Sequence, residues 1–264
     1  EMELCQFYKI KIIFFKKKNI IINCVGKNQG NIEDLKKTNL ILIQKLCKYI
    51  LATNMYVRLI HLGSVSVYGA EKKYLSRIKN ITENTQTNPD DSYSKSKLEA
   101  DLCIQKNVKL NSKKFSYTIL RIANVFSNTK NSNLFKLIEN LLNKGIWFKC
   151  SKYTNYHFIH AKDVAQVVFL AIKNLKKTTN NIYIVSDEDN QFNLHKVFTN
   201  FYHRKLFLIP IPLKFIYLIT KFLKLPKLML NFFLVISSQT KYDNYKIKKD
   251  LNFCPKYSLR KKIL

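Results

Sequence analysis

Apolar and polar positions along the chain follow two alternating rhythms. Residues 19–25 (NIIINCV) are a nearly continuous apolar run, as expected of a strand buried on both faces of a parallel sheet. Residues 33–51 then place Leu35, Leu40, Ile43, Leu46, Cys47 and Ile50 at helical spacing. The same exchange repeats. Residues 57–62 (VRLIHL) predict a second buried strand, 70–91 a polar loop, and about 92–107 a helix with Leu98, Leu102 and Ile104 inward. A third strand is predicted at 116–122, a helix at 133–144, a short strand at 156–160, a helix at 162–173 and a late strand at 181–186. This alternation is the signature of an α/β fold. After about residue 186 the pattern turns mainly helical with proline breaks through 250, so the chain divides into 1–185 and a second lobe, 186–264, with no flexible linker between them. No internal repeat is visible.

Composition changes this picture in two places. The 264 residues carry 46 Lys and Arg against 17 Asp and Glu, a formal charge of +29, which raises nucleic acid or an anionic membrane surface as a partner. Yet 41 of the 46 are Lys, spread with no block longer than Lys16 to Lys18, whereas base and phosphate recognition favours the planar fork of Arg. Asn is abundant at 27 and Ala scarce at 7, a pattern that A/T-rich codons produce across a whole chain. Codon drift therefore accounts for the charge, and no nucleic-acid partner is expected. Gly is scarce at 5, where average usage of about 7% would give about 18.

The longest apolar stretch, 206–236, is interrupted by Pro210, Pro212 and Pro226 and by four lysines, so no membrane-spanning helix is predicted. Lys16 to Lys18 follow the first apolar run instead of preceding it, unlike a signal peptide. The six cysteines contain no C-x-x-C pair, which predicts no metal site and reduced thiols in a cytoplasmic protein.

Candidate chemistry begins with Tyr93 and Lys97, one turn apart on one helix face. A neighbouring ammonium favours the phenolate, lowers the Tyr pKa and makes it a usable general acid–base. The spacing alone is uninformative. With 15 Tyr and 41 Lys in 264 residues, chance gives about 15 × 41/264, or two, and the chain holds six: at Tyr68, Tyr93, Tyr217, Tyr242, Tyr245 and Tyr257. Context selects Tyr93, the only one that opens a helix after a buried strand and a long loop. That strand runs into Gly63-Ser64-Val65-Ser66-Val67-Tyr68-Gly69, placing Ser64 just beyond a strand's carboxyl end, where active residues of open α/β sheets sit. By itself Ser64 reads equally as a turn-capping hydroxyl. His61 and His160 read as packing residues, Trp147 as core, and the Phe/Leu stripe at 215–223 as a core face; a basic amphipathic helix on anionic lipid is the other reading of that stripe.

Taken in order, the segments resemble the extended short-chain dehydrogenase/reductases, the NAD-dependent epimerase/dehydratase family, from about residue 19 to 262. IINCVG is similar to the family's fourth strand, which ends beside the cofactor at Gly26, and Asn39 in KKTNL matches the helix Asn that reaches it. LGSVSVYG resembles the family's Ser-x-x-Val-Tyr-Gly segment with Ser64 at the catalytic position, and SYSKSKLEAD carries Tyr93 and Lys97. LRIANVFS places Asn124, and the turn places Ser66, where a nucleotide-sugar is met; FIHAKDVA and the segments 209–226 and 242–259 match later family motifs. The resemblance implies a Rossmann-type parallel sheet with helices on both faces plus a smaller, mainly helical substrate lobe to which 126–156 contributes. It implies NAD as cofactor, with Gly26, Asn39, Tyr93 and Lys97 binding it, and a nucleotide-sugar of the UDP-hexose type as substrate. Tyr93 would take a proton from a sugar hydroxyl, hydride would pass to NAD, and Ser64 would hold the forming carbonyl; a homodimer is compatible with this. The family's dehydratases carry Asp-Glu after the catalytic residue, and Val65-Ser66 stands here, so 4-epimerases and 4-keto reductases are the nearer relatives.

The sequence also departs from the family. Its phosphate-cradling Gly-x-x-Gly-x-x-Gly would open the chain, but no Gly precedes Gly26, which already lies in the fourth-strand segment. By this alignment about 60 residues, two βα units at roughly 30 each, are missing, so the sheet is expected to be N-terminally truncated, with only residues 1–18 in their place and an open strand edge. Weak NAD binding or none follows, and a catalytically silent remnant is the alternative to an enzyme. The acidic residue that separates NAD from NADP has no counterpart, so both stay open. Tyr156 replaces a phosphate-pairing Arg, Leu42-Ile43 replaces Gly-Thr after Asn39, and Phe126-Ser127-Asn128 replaces Tyr-Gly-Pro.

Overall fold

The computed structural model describes residues 12–15, 19–53, 55–69, 80–127, 133–149, 157–187, 205–212 and 240–257, with single positions between 215 and 229. Its centre is a five-stranded sheet. β1 (Ile12–Phe15), β2 (Ile20–Asn23), β3 (Val57–Ser64), β5 (Phe115–Ile122) and β9 (Asn181–Val185) lie side by side in that order. Four of them run parallel; β1 alone is antiparallel, with Ile12 opposite Asn23 and Phe15 opposite Ile20.

The apolar runs are explained by burial on both faces. Ile20 and Ile22 join Ile60, Leu120, Ile122 and Val185 on one face, against Val164, Val167 and Ala171 of α4 (Ala161–Lys173) and Ile247 and Leu251 of α5 (Tyr245–Leu251). Ile21 points the other way and joins Val57, Leu59 and Phe115 under two helices. One is α1, built of Ile32–Lys36, a π-helical turn at Lys37–Ile41 and Leu42–Ala52; the other is α2 (Ser92–Leu110). The period of two along a strand thus sends neighbouring isoleucines into separate cores.

The helices predicted at 33–51, 92–107 and 162–173 are present, each extended by one to three residues, and Asn133–Asn143 forms α3. Three small parallel pairs lie outside the main sheet: β6 (Asn124–Phe126) with β8 (Phe158–His160), β7 (Ile146–Lys149) with β10 (Phe207–Pro210), and β4 (Asn80–Ile81) with β11 (Lys241–Tyr242). Most of the segment read as helical after 192 lies outside the described residues. Within them, Phe207–Pro210 is strand instead of helix, and it is followed by Pro212, which has no N–H for a helix interior.

The open edge expected beside β2 is occupied. β1 pairs with it over four residues. At the other end of the chain, the carboxylate of Asp163 on α4 accepts the backbone N–H groups of Lys256 (2.8 Å) and Tyr257 (3.0 Å), fastening that segment to the sheet. Trp147 is buried in β7, in line with its reading as core.

Candidate active site

The parallel strands end on one rim, and the residues singled out by sequence gather there. β3 finishes at Ser64, whose chain turns into a tight 3₁₀ segment, Val65–Tyr68, closed by Gly69. Gly69 has φ +59, and a Cβ there would stand 1.7 Å from the Asn88 carbonyl oxygen, so only glycine closes this turn. Val65, Val67 and Tyr68 bury themselves with Ile81, Ala123 and Ile184, which anchors the turn from below.

Ser64 does cap that turn: its Oγ accepts the Ser66 N–H (3.2 Å) and lies 2.9 Å from the Ser66 Oγ. A serine hydroxyl accepts twice and donates once. Either hydroxyl can donate in that pair; when Ser66 does, the Ser64 proton points elsewhere, so capping and chemistry are compatible in one side chain.

Tyr93 sits in the first turn of α2. The helix start is written in the sequence as a capping box: Asp91 Oδ1 accepts the Ser94 N–H (2.7 Å), and Ser94 Oγ accepts the Asp91 N–H (3.1 Å). Tyr93 is half-buried. One turn on, Lys97 is only 4% exposed, and its Nζ donates to the Leu62 carbonyl at 2.7 Å, two residues before Ser64. Burial drives the Lys97 pKa down from 10.5 to about 8, against the opposing pull of Asp101. At pH 7 the ammonium therefore outnumbers the amine about ten to one.

Gly26, just past the end of β2, faces this ammonium: a Cβ there would lie 3.3 Å from Lys97 Nζ and 3.8 Å from Asn39 Oδ1. Asn39 sits in the π turn of α1 and is itself buried. Its Oδ1 accepts the Lys27 N–H (2.9 Å), and its Nδ2 donates to the Lys27 carbonyl (2.9 Å) and Ser96 Oγ (2.9 Å). Ser96 in turn donates to the Tyr93 carbonyl (2.7 Å). Asn39 thus clamps the segment after β2 to the helix carrying Tyr93 and Lys97, and all its bonds here run within the protein. Asn124 stands on β6, exposed, its backbone N–H bonded to His157, and is not joined to this cluster. Tyr156 and Asn128 lie outside the described residues.

Under the rim is a polar layer that sequence reasoning did not find. Asp101, fully buried on α2, accepts from Arg121 Nε of β5 at 3.0 Å, and Arg121 NH1 donates to the Tyr68 hydroxyl at 2.8 Å. His61 of β3 accepts the Asn23 amide on Nδ1 (3.0 Å), which leaves its proton on Nε2, 3.7 Å from Asp101 Oδ1. Burial and, secondarily, Lys97 depress the His61 pKa far below its usual value, so the ring is neutral. The available signal was Arg121, a charge inside an apolar strand run and one of only five arginines. His160, as expected, is structural: its Nδ1 accepts the Lys162 N–H at the start of α4.

A family model described as the NAD dependent epimerase/dehydratase family matches residues 10–186, two thirds of the chain. No curated protein matches it. Among solved structures, UDP-glucuronic acid 4-epimerase from Bacillus cereus in complex with NAD has a TM-score of 0.69 at 14% identity, covering 93% of this chain and 72% of that one. RMD from Pseudomonas aeruginosa complexed with NADPH has a TM-score of 0.66 at 10% identity, covering 93% and 79%. dTDP-glucose 4,6-dehydratase from Bacillus anthracis in complex with NAD has a TM-score of 0.63 at 15% identity, covering 93% and 71%. At these identities the likeness establishes the fold.

Proposed function

Because the chain belongs to the NAD-dependent epimerase/dehydratase family, we propose that it is a nucleotide-sugar 4-epimerase or 4-keto-sugar reductase that works through Tyr93, Lys97 and Ser64. The observation that carries this is the buried Lys97 ammonium. It is held on the Leu62 carbonyl at the strand ends, one turn from Tyr93, with Gly26 keeping the space before it clear. The nicotinamide end of a dinucleotide bound here would be lined by Lys97, Gly26 and Tyr93. Asn39 supports the same place from behind. When bound, NAD supplies the hydride acceptor.

The chain's own residues supply the proton chemistry. Tyr93 takes a proton from a sugar hydroxyl; the Lys97 charge stabilises the phenolate that does so. Ser64, with its proton left over from the cap, donates to the oxygen that becomes a carbonyl. Val65 and Ser66 follow Ser64, so no carboxylate stands there to eliminate water, and the reading is epimerisation or reduction instead of dehydration. The substrate is a UDP-hexose, met by Asn124 and Ser66, with 126–156 and 186–264 forming the substrate lobe of a cytoplasmic enzyme. Such a product would feed surface-polysaccharide synthesis.

The test is turnover of UDP-hexoses with NAD. Tyr93→Phe is expected to lower kcat at least about 100-fold, the usual share of a positioned general acid–base. Wild-type turnover in that variant would sink the assignment.

One observation favours a second reading, in which the chain keeps the fold without turning over substrate. The strand beside β2 is antiparallel, so it brings its N-terminal end, at Ile12, to the rim where a parallel strand would bring a phosphate-binding loop. Calorimetric titration with NAD separates the two: tight binding supports the enzyme, and no heat of binding supports the silent scaffold.

A further inference from the structure

The buried layer beneath the rim has no part in the proton transfer just described, yet it touches both halves of the site. Asp101 follows Lys97 by one helical turn, on the same face of α2. Its carboxylate lies in the interior with one oxygen on Arg121 and the other facing His61 across 3.7 Å. Gly63 makes this approach possible: a Cβ there would meet Asp101 Oδ1 at 3.2 Å and Ile119 Cγ2 at 3.3 Å. Arg121 continues past Asp101 to the Tyr68 hydroxyl and also lies over the Tyr68 ring, 4.9 Å from its centre. Tyr68 ends the turn that begins at Ser64. Nothing else described links that turn to α2 through buried charges.

We propose that Asp101 is a positioning residue for this site: its carboxylate is the interior counter-charge of the Lys97 ammonium and, through Arg121 and Tyr68, it holds the Ser64 turn against the helix that carries Tyr93 and Lys97. The proposal rests on the reading of Lys97 as the partner of Tyr93, and it deepens that reading. The physical case is one of signs. Lys97 is buried, and burial favours the neutral amine. The groups facing it are Asp101 on its own helix, Cys24 after β2 and His61 on β3. His61 is neutral. Asp101 is the carboxylate of the set; burial pushes its pKa up, and the Arg121 and Lys97 charges pull against that rise. Removing its charge removes the attraction that holds the proton on Lys97.

The decisive measurement needs neither substrate nor cofactor. In ¹⁵N-lysine-labelled protein, the Lys97 side-chain resonance, assigned by its loss in Lys97→Arg, is followed through a pH titration. In wild type the midpoint is expected near about 8. In Asp101→Asn it is expected to fall by about one pH unit or more, the effect of losing one close opposite charge, and Asp101→Glu is expected to restore it. An unchanged Lys97 midpoint in folded Asp101→Asn overturns the proposal. Because that variant leaves Arg121 without its carboxylate, Asp101→Asn/Arg121→Gln, which removes the buried Asp101–Arg121 pair together, is titrated in parallel and must show the same fall. The alkaline limb of the pH–rate profile should move down with the Lys97 midpoint. A shifted midpoint in a protein with no turnover would retire the enzymatic reading and leave the Asp101–Lys97 coupling standing; turnover with an unshifted midpoint would do the reverse.

Discussion

Gly69 and Gly145 share a positive φ, +59 and +71, but differ in what surrounds them. A Cβ at 145 would touch nothing within 4 Å, whereas one at 69 would strike the Asn88 carbonyl. Gly145→Ala is therefore expected to cost only the left-handed backbone term, about 1–2 kcal/mol. Gly69→Ala must add a displaced backbone and is expected to cost at least about 2 kcal/mol more, read from urea midpoints at constant m. Equal midpoints would show that the Ser64 turn yields freely. At this scale the proposed site residues were legible from their place, Ser64 at a strand end and Tyr93 and Lys97 at the start of the next helix, since the Tyr–Lys spacing by itself recurs six times. Asp101 was not. An Asp on a helix reads as solvated, and only the position of Arg121 across the sheet turns it into a buried charge.

At the scale of elements, α2 shows how local sequence can be sufficient. Asp91 and Ser94 close its first turn reciprocally, and Tyr93 lies between them. Asp91→Ala is expected to lower stability by about 1 kcal/mol, the usual value of an N-cap, and to fray the turn that carries Tyr93. Amide exchange should accelerate first at residues 93–95 if this is right, and an unaltered exchange pattern would show that tertiary packing alone holds the turn. Long elements with a strict period were readable: each core strand of the parallel sheet and each helix packed on it. Of the pairs β4–β11, β6–β8 and β7–β10 only β8 was readable, as the short strand expected at 156–160; strands of two to four residues have little period to detect and exist by virtue of a distant partner. The π turn that lets Asn39 clamp Lys27 was likewise invisible, because nothing in KTNLI departs from ordinary helical composition.

Across the whole molecule, 46 basic residues face 17 acidic ones. Some of the acids are spent internally: Asp101 on Arg121, Asp163 on backbone N–H groups, and Asp34 on Lys27. The excess of lysine then repels itself across the surface, and salt shortens the range of that repulsion from about 30 Å at 0.01 M to about 8 Å at 0.15 M. The melting temperature is accordingly expected to rise as sodium chloride is raised over that range. A flat response in a calorimetric scan would mean the lysines stand far enough apart to be harmless. Among the described residues no helix is long and apolar enough to cross a membrane.

What the amino-acid sequence determined by itself was the succession of strands and helices in the parallel core and the one-turn spacing of Tyr93 and Lys97, the proposed acid–base pair. Both depend on periodicity and on spacing along one helix, which are short-range properties. What only the tertiary structure decided was how the charges are held. An Asn39 held on Ser96 and an Asp101 held on Arg121 both arise from groups that are far apart in sequence. Their worth comes from the low dielectric of the interior, where one unpaired charge outweighs many surface ones. Linear spacing carries no record of which charge will be buried beside which.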